Sequence, residues 1–356
     1  MNGNGNNGNS GRGERLFDTA VFTISLDFEL MWGSFDSGKH RKFVSHLGRD
    51  GAGGLRATRE IVDGLLALFR KYDVSVTWAT VGHLFLDACE TRDGVKHADM
   101  PRPRHAWFER DWYEFDPCKD LRAEPLWYGR DMVEKILAAE PKHDVGSHSF
   151  SHVIFGDAGC TREVAEAEVR KCVELARELG LKLESFVFPR NQLGHLDVLR
   201  EHGFQITRGA APFWFAKFRS RTLRRVGHVI DDVLAITPDC GLPEKSPSGL
   251  WVAPVSMFLQ SLDGPRRLIP VGSRIRKGVK GIERAVEEKS IFHLSFHPTE
   301  NFCFRPEEMF RALEAIVAHA ARRRDEGLLQ VMTMADIAAH CERRSNGEQT
   351  DSLTSV

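Results

Sequence analysis

The chain has 356 residues, of which 42% are hydrophobic and 28% charged, the balance of a soluble globular protein able to build a sizeable core. Its 49 Lys plus Arg against 50 Asp plus Glu leave a formal charge of −1, which gives no long-range attraction to nucleic acid or to anionic lipid. Seven scattered cysteines without a C-x-x-C pair read against both a disulfide framework and a thiolate zinc site, and favour reduced thiols in a cytosol.

Residues 1–15 are Asn, Gly and Ser-rich and lack the apolar core of a signal peptide, so a disordered leader is expected there. No apolar run reaches the ~18 residues of a membrane span, and a cytoplasmic location is expected. From residue 16 to 344 strand and helix patterns alternate. Ala20 to Leu26 is a compact β-branched run, Leu55 to Tyr72 a helical stripe, and Val74 to Val81 a second strand. Residues from about 90 to 128 break the rhythm with Pro, Arg and Trp, the mark of a long functional loop inserted into the fold. A helix follows over Met132 to Ala139, then a short strand from His143 to Gly146. Thr161 offers an N-cap to a helix that Gly180 ends, Glu184 to Phe188 is a strand, and Leu196 to Glu201 a short helix stopped by Gly203. The stretch 212–290 is the least readable, with one strand over Leu250 to Met257. Within it Phe213 to Val229 mixes aromatics with Arg, a packed lid or an amphipathic membrane-touching surface. Arg219 to Arg225 and Arg322 to Arg324 are short basic runs of the solvated kind. Ile291 to Phe296, Pro306 to Arg323 and Leu328 to Met332 give strand, helix and strand, before a closing helix and a flexible tail over 345–356.

Repeated strand–helix units imply a parallel sheet covered by helices, in one α/β domain. In such folds the chemistry lies at the carboxyl ends of the strands. Four polar clusters sit there. Asp27 and Glu29 are two apart, so an extended chain points both the same way. His148 and His152 are four apart, and a helical turn would bring both imidazoles to one side as nitrogen ligands for zinc. Arg190, in Phe188-Pro-Arg-Asn-Gln192, is suited to orienting a carboxylate. His297 ends the strand Ile291 to Phe296. Each cluster alone also suits an ordinary solvated strand end; four together indicate a site.

The order of these clusters resembles the polysaccharide deacetylases that share the NodB homology domain, carbohydrate esterase family 4, from about Ala20 to Cys341. VGSHSFSH (Val145 to His152) looks like the family's H-[ST]-x-x-H metal motif. Thr77-Trp-Ala-Thr-Val-Gly82 is similar to its ATFFVVG strand, SFVFPRN stands where its third motif falls, and LSFH (Leu294 to His297) resembles its late leucine–histidine motif. The family's adjacent aspartates are here Asp27-Phe28-Glu29, an acid-x-acid form seen in branches acting in surface-glycan and O-antigen biosynthesis. The third motif is also altered, because Pro189 precedes Arg190 rather than following it.

The resemblance implies a single distorted (β/α) barrel of the polysaccharide deacetylase type and a metal-dependent N-deacetylase. Asp27 would be the base, Glu29, His148 and His152 the metal ligands, His297 the acid and Arg190 the holder of Asp27. The expected ion is Zn2+, with Co2+, Ni2+ or Mn2+ as other occupants. Asp231, Asp232 and Asp239 are candidates for the acidic partner of the late histidine. Trp107, Trp112, Trp127 and Tyr128, among Arg102, Arg104, Arg110 and Arg130, suit a sugar carrying a phosphate, unless they simply fasten the loop to the barrel. Trp32, Trp127, Asn191 and Gln192 are the expected substrate contacts. The expected substrate is an N-acetylated amino sugar, free, polymeric, nucleotide-linked or lipid-linked, and no nucleic-acid partner is expected. Two alternatives remain open: a hydrolase of a non-sugar amide, such as a ureide or cyclic imide, and a catalytically degenerate glycan-binding member.

Overall fold

The structure, a computed structural model, describes residues 16–37, 51–210 and 214–347. The leader expected over 1–15, Phe213, and the tail from 348 onward lie outside the described residues; Ser345 is still helical.

The centre of the molecule is β1 (Ala20–Phe28), buried at every position. It pairs in parallel with β2 (Thr77–Thr80), β11 (Ile291–Phe296) and β12 (Leu329–Val331). A strand with neighbours on both sides and helices outside must be apolar throughout its lower part, which explains the unbroken run that opens the sequence. Beyond β2 the sheet continues through β5 (Asp144–Ser147), β6 (Ser185–Phe186), β7 (Ile206–Gly209) and β9 (Trp251–Pro254), all in parallel. The short β8 (Glu244–Lys245) closes that edge antiparallel to β9. β10 (Met257–Phe258) pairs with β11 at the other edge, so residues 251–258 run from one end of the strand order to the other. A two-residue hairpin pair, β3 (Thr91–Arg92) and β4 (Val95–Lys96), stands apart in the insertion.

The sheet is strongly curled, into at least half a barrel. β1 and β7 are four pairings apart, about 19 Å across a flat sheet at the usual spacing. Yet Arg208 of β7 donates directly to Asp27 and Ser25 of β1. Alternate residues of β1 divide between two surroundings. Phe22, Ile24, Leu26 and Phe28 join the large core under the helices. Val21 packs with Val187, Ile206 and Ile291, closed off by Met334 and Ile337 of the last helix (Met334–Ser345). Going up the same side, Val21 gives way to Thr23, Ser25 and Asp27, so the enclosed space turns from apolar to polar toward the carboxyl ends.

The sequence left three elements unassigned: β7 and the helices Arg221–Leu234 and Val271–Glu288. The first of these helices is turned inside out. Leu223, Val226, Ile230 and Val233 face solvent, whereas Asp231 and Asp232 are buried and bonded to Lys277. Of the described part of the segment expected as a packed lid, Phe215 is buried, whereas Leu223, Val226 and Val229 face water. No described helix is long and apolar enough to cross a membrane.

Candidate active site at the carboxyl ends of the strands

A cleft of about 440 Å³ opens where β1, β5 and β11 end, and Asp27, Glu29, His148, His152, Arg190, Asn191 and His297 line it. Asp27 is the penultimate residue of β1; Glu29 follows the strand and leads into a tight turn over Leu30–Gly33. A Cβ at Gly33 would sit 1.9 Å from Glu29 Oε1, so any larger residue there displaces the Glu29 carboxylate.

His148 and His152 converge, but not through a helical turn. Residues 148–153 are irregular, and positive φ at Ser149 (60°) and His152 (62°) bends the chain back on itself. Glu168, buried on the helix Arg162–Glu178, holds this bend by accepting hydrogen bonds from the Ser151 amide (2.8 Å) and hydroxyl (2.7 Å). The Thr161 cap predicted for that helix is present, with its side chain accepting from the Val164 amide. His148 Nδ1 donates to the Val187 carbonyl at 2.7 Å, which leaves Nε2 as a lone pair. That nitrogen lies 3.2 Å from Glu29 Oε2, and His152 Nε2 lies 3.1 Å from the same oxygen. Glu29, His148 and His152 are 2%, 1% and 4% exposed, yet Glu29 Oε2 has no hydrogen-bond partner. A carboxylate oxygen facing imidazole nitrogens without a hydrogen bond, on two nitrogen donors and one oxygen donor, is the arrangement a divalent cation satisfies.

Asp27 is held by Arg208, not by Arg190. Arg208 is 1% exposed and donates to Asp27 through Nη1 (2.5 Å) and Nη2 (2.7 Å), with further bonds to Ser25 Oγ (3.1 Å) and Asn191 Oδ1 (2.9 and 3.0 Å). Burial acts to raise the Asp27 carboxyl, and the Arg208 guanidinium overcomes it, holding the group below its ordinary value and ionised at neutral pH. Arg190 is directed outward: it pairs with Asp36 at 2.7 Å and stacks 4.3 Å over the Trp107 ring. The reason is local. Arg190 sits at φ 56° in the turn after Pro189, which carries its side chain away from the strand ends to the rim. The sequence did contain a signal for Arg208: a helix stopped by Gly203 must feed another strand in an alternating fold, and Ile206-Thr-Arg-Gly209 is that strand.

His297 Nε2 lies 3.2 Å from Glu29 Oε1 and 3.7 Å from Asp27 Oδ2. Asn301 positions it, accepting the His297 amide at 3.1 Å and donating to the Leu259 carbonyl at 2.6 Å. Burial alone would lower this imidazole, but the Glu29 and Asp27 carboxylates outweigh burial and raise it. The distant acids considered for it are engaged elsewhere: Asp231 and Asp232 with Lys277, and Asp239 with Arg284 at 2.9 Å. The acids beside His297 are Glu29, Asp27 and Glu300.

The expected substrate contacts divide. Asn191 and Gln192 are exposed, Asn191 at the cleft. Trp32 is fully buried among Phe35, His83 and Trp127, and belongs to the core rather than to a ligand surface. Trp127 is half-buried in the same cluster. Most of the insertion's aromatics fasten it down: Trp112 donates to the Ser151 carbonyl at 3.0 Å and Tyr128 is fully buried. Trp107, 41% exposed beside Arg190, is the aromatic left open at the rim.

Among solved structures the chain is similar to a Mycobacterium smegmatis protein assigned as a polysaccharide deacetylase, at 15% identity and a TM-score of 0.58, covering 95% of this chain and 94% of that one. It also aligns with a peptidoglycan deacetylase of Bacillus subtilis (11% identity, TM-score 0.39, 93% and 96% covered). A third alignment is with an α-amylase of Thermotoga maritima (12%, 0.48, 90% and 74%). At these identities the likeness is one of fold, and of these three the Mycobacterium structure supports it. No family model and no curated protein matches the sequence.

Proposed function

We propose that the chain is a metal-dependent N-deacetylase of amino sugars on a distorted (β/α) barrel of the polysaccharide deacetylase type. The observation that carries this reading is the meeting of Glu29, His148 and His152 around one buried, unsatisfied carboxylate oxygen, with Asp27 and His297 beside it.

Amide hydrolysis needs an activated water, a stabilised oxyanion and a proton for the departing nitrogen. A divalent cation held by Glu29, His148 and His152, zinc by the donor set, supplies Lewis acidity toward the acetyl carbonyl and lowers the pKa of water toward ~7. Asp27 takes a water proton on the carboxylate that Arg208 keeps ionised and fixed in angle. His297 Nε2 gives its proton to the sugar nitrogen, which cannot leave as the strongly basic amide anion. The products are acetate and a free amine, and the two side chains regain their starting states by returning the proton from Asp27 to His297. Trp107, Arg190, Asn191 and Gln192 form the rim that receives the sugar, with Trp107 offering a ring face for stacking.

Acetate release from N-acetylated amino sugars, presented free, oligomeric, nucleotide-linked and lipid-linked, tests the reading, with a ureide and a cyclic imide in the same panel. Activity should disappear with a chelator, return with zinc or cobalt, and fall by several orders of magnitude in His148→Ala. Full activity in His148→Ala on the best substrate would refute the assignment, and turnover confined to the ureide or imide would move the chain to the non-sugar alternative.

A further inference from the structure

The insertion after β2 carries a second convergence of metal-binding side chains. His83 lies in the turn Gly82–Phe85 that follows β2, Cys89 just beyond it, His97 directly after the β3–β4 hairpin, and Asp116 near the insertion's far end. One ligand atom from each falls within 4.8 Å of all the others. The meeting point is Asp116 Oδ2, which lies 2.6 Å from His97 Nε2, 3.1 Å from His83 Nε2 and 3.5 Å from Cys89 Sγ. The other oxygen, Oδ1, is occupied by the Cys118 amide at 2.8 Å.

With a neutral His83, the hydrogen-bond accounting is one that a cation closes. His83 Nδ1 lies 3.2 Å from the Trp127 carbonyl, an acceptor, so that nitrogen carries the proton and Nε2 is a bare lone pair. His83 is fully buried, and its Nε2 has no hydrogen-bond partner although it faces a carboxylate oxygen. Lone pair against lone pair in a dry interior is repulsive, and a positive ion between them reverses the sign.

The geometry points to a structural zinc site formed by His83, Cys89, His97 and Asp116, which fastens the insertion to the carboxyl end of β2. Two nitrogens, one thiolate and one carboxylate match the ligand types and number of a four-coordinate zinc, and the two anionic ligands neutralise the ion. His83, His97 and Asp116 are 0%, 7% and 1% exposed and Cys89 is half-buried; four protein ligands fill a tetrahedral zinc and leave no open position for substrate, so its role is structural. A long loop whose regular structure is one pair of two-residue strands gains most from such a staple. The missing C-x-x-C spacing misleads here because the ligands come from separate stretches. Cys118 Sγ stands 2.6 Å from Cys89 Sγ, which makes a Cys89–Cys118 disulfide the rival outcome.

The test is zinc K-edge X-ray absorption on the full chain purified under reducing conditions with zinc. The expected result is a zinc–sulfur shell near ~2.3 Å, which Glu29, His148 and His152 cannot provide. The shell should persist in His148→Ala and vanish in Cys89→Ser, each variant losing about one zinc ion from a wild-type content of about two. A wild-type spectrum without sulfur scattering overturns the proposal even if Cys89→Ser fails to fold, and so does a Cys89–Cys118 disulfide found by non-reducing mass spectrometry. Failure of the deacetylase site is separable, because it would appear as zinc content unchanged in His148→Ala while the sulfur shell remains.

Discussion

Replacing Arg208 separates the roles of the two arginines near the strand ends. Arg208→Met removes two bonds to Asp27, two to Asn191 and one to Ser25, all at 2.5–3.1 Å, and leaves a 4% exposed aspartate without its counter-ion. Breaking one side of a buried pair costs about 3–5 kcal/mol, a large part of the ~5–15 kcal/mol that holds a domain folded. Arg208→Lys keeps the charge and loses the fork, so it is the variant for kinetics. A base displaced by about an ångström costs about 10²-fold, so kcat should fall by about that factor with KM little changed. Arg190→Lys is the control. Arg190 pairs with Asp36, whose carboxylate is buried, and stacks over Trp107, but it does not touch Asp27; the lysine keeps the charge beside Asp36 and loses the ring contact, so it should raise KM rather than lower kcat. Urea unfolding and initial rates of acetate release measure both. Near-normal kcat in Arg208→Lys together with a collapse of kcat in Arg190→Lys would reverse the assignment.

Three further outcomes follow from particular contacts. Gly33→Ala forces Glu29 aside and should weaken metal binding about tenfold or more, measured by calorimetry; unchanged affinity would mean that Glu29 is not a ligand. Trp32→Ala should destabilise by about 3–5 kcal/mol with KM unchanged in the folded fraction, whereas a KM effect without destabilisation would return Trp32 to the substrate surface. Burial pushes the Asp144 carboxyl up to about 6, against partial relief from Ser185, Thr77 and the Ala335 amide. The folded chain therefore binds this proton more readily than the unfolded one, and the contribution to stability falls as pH rises from about 4 to about 6. Asp144→Asn should flatten that fall in urea midpoints compared at pH 4.5 and pH 7; the same slope in both proteins would show that another group carries it.

The sequence made most of the first two-thirds legible because parallel strands buried on both sides are continuous apolar runs and their helices carry a stripe. Ala20 to Leu26, the Thr161-capped helix and Leu196 to Glu201 are found where the pattern put them. The helix Arg221–Leu234 does carry an apolar stripe at helical spacing, Leu223, Val226, Ile230 and Val233, among a dense run of Arg; the stripe faces solvent and the acids are buried against Lys277, so pattern and burial disagree. β7 has only four residues, too short for periodicity to register, and it carries Arg208. The polar residues ending β1, β5 and β11 were legible because a fold of this class puts chemistry there. Their contacts were not: which arginine faces Asp27 depends on a curl of the sheet that residue spacing does not encode, and Asp36 enters the cleft from a turn with no distinguishing pattern.

The guanidinium of Arg208 grips residues on β1 and on the turn after β6 at once, so the width of the cleft and the aim of its proton acceptor are one mechanical variable. Widening the mouth for a bulkier sugar by spreading the strands would stretch the same bonds that orient Asp27. Changes in what the cleft admits must therefore come from pieces that Arg208 does not touch, and the insertion bearing Trp107 is the large one.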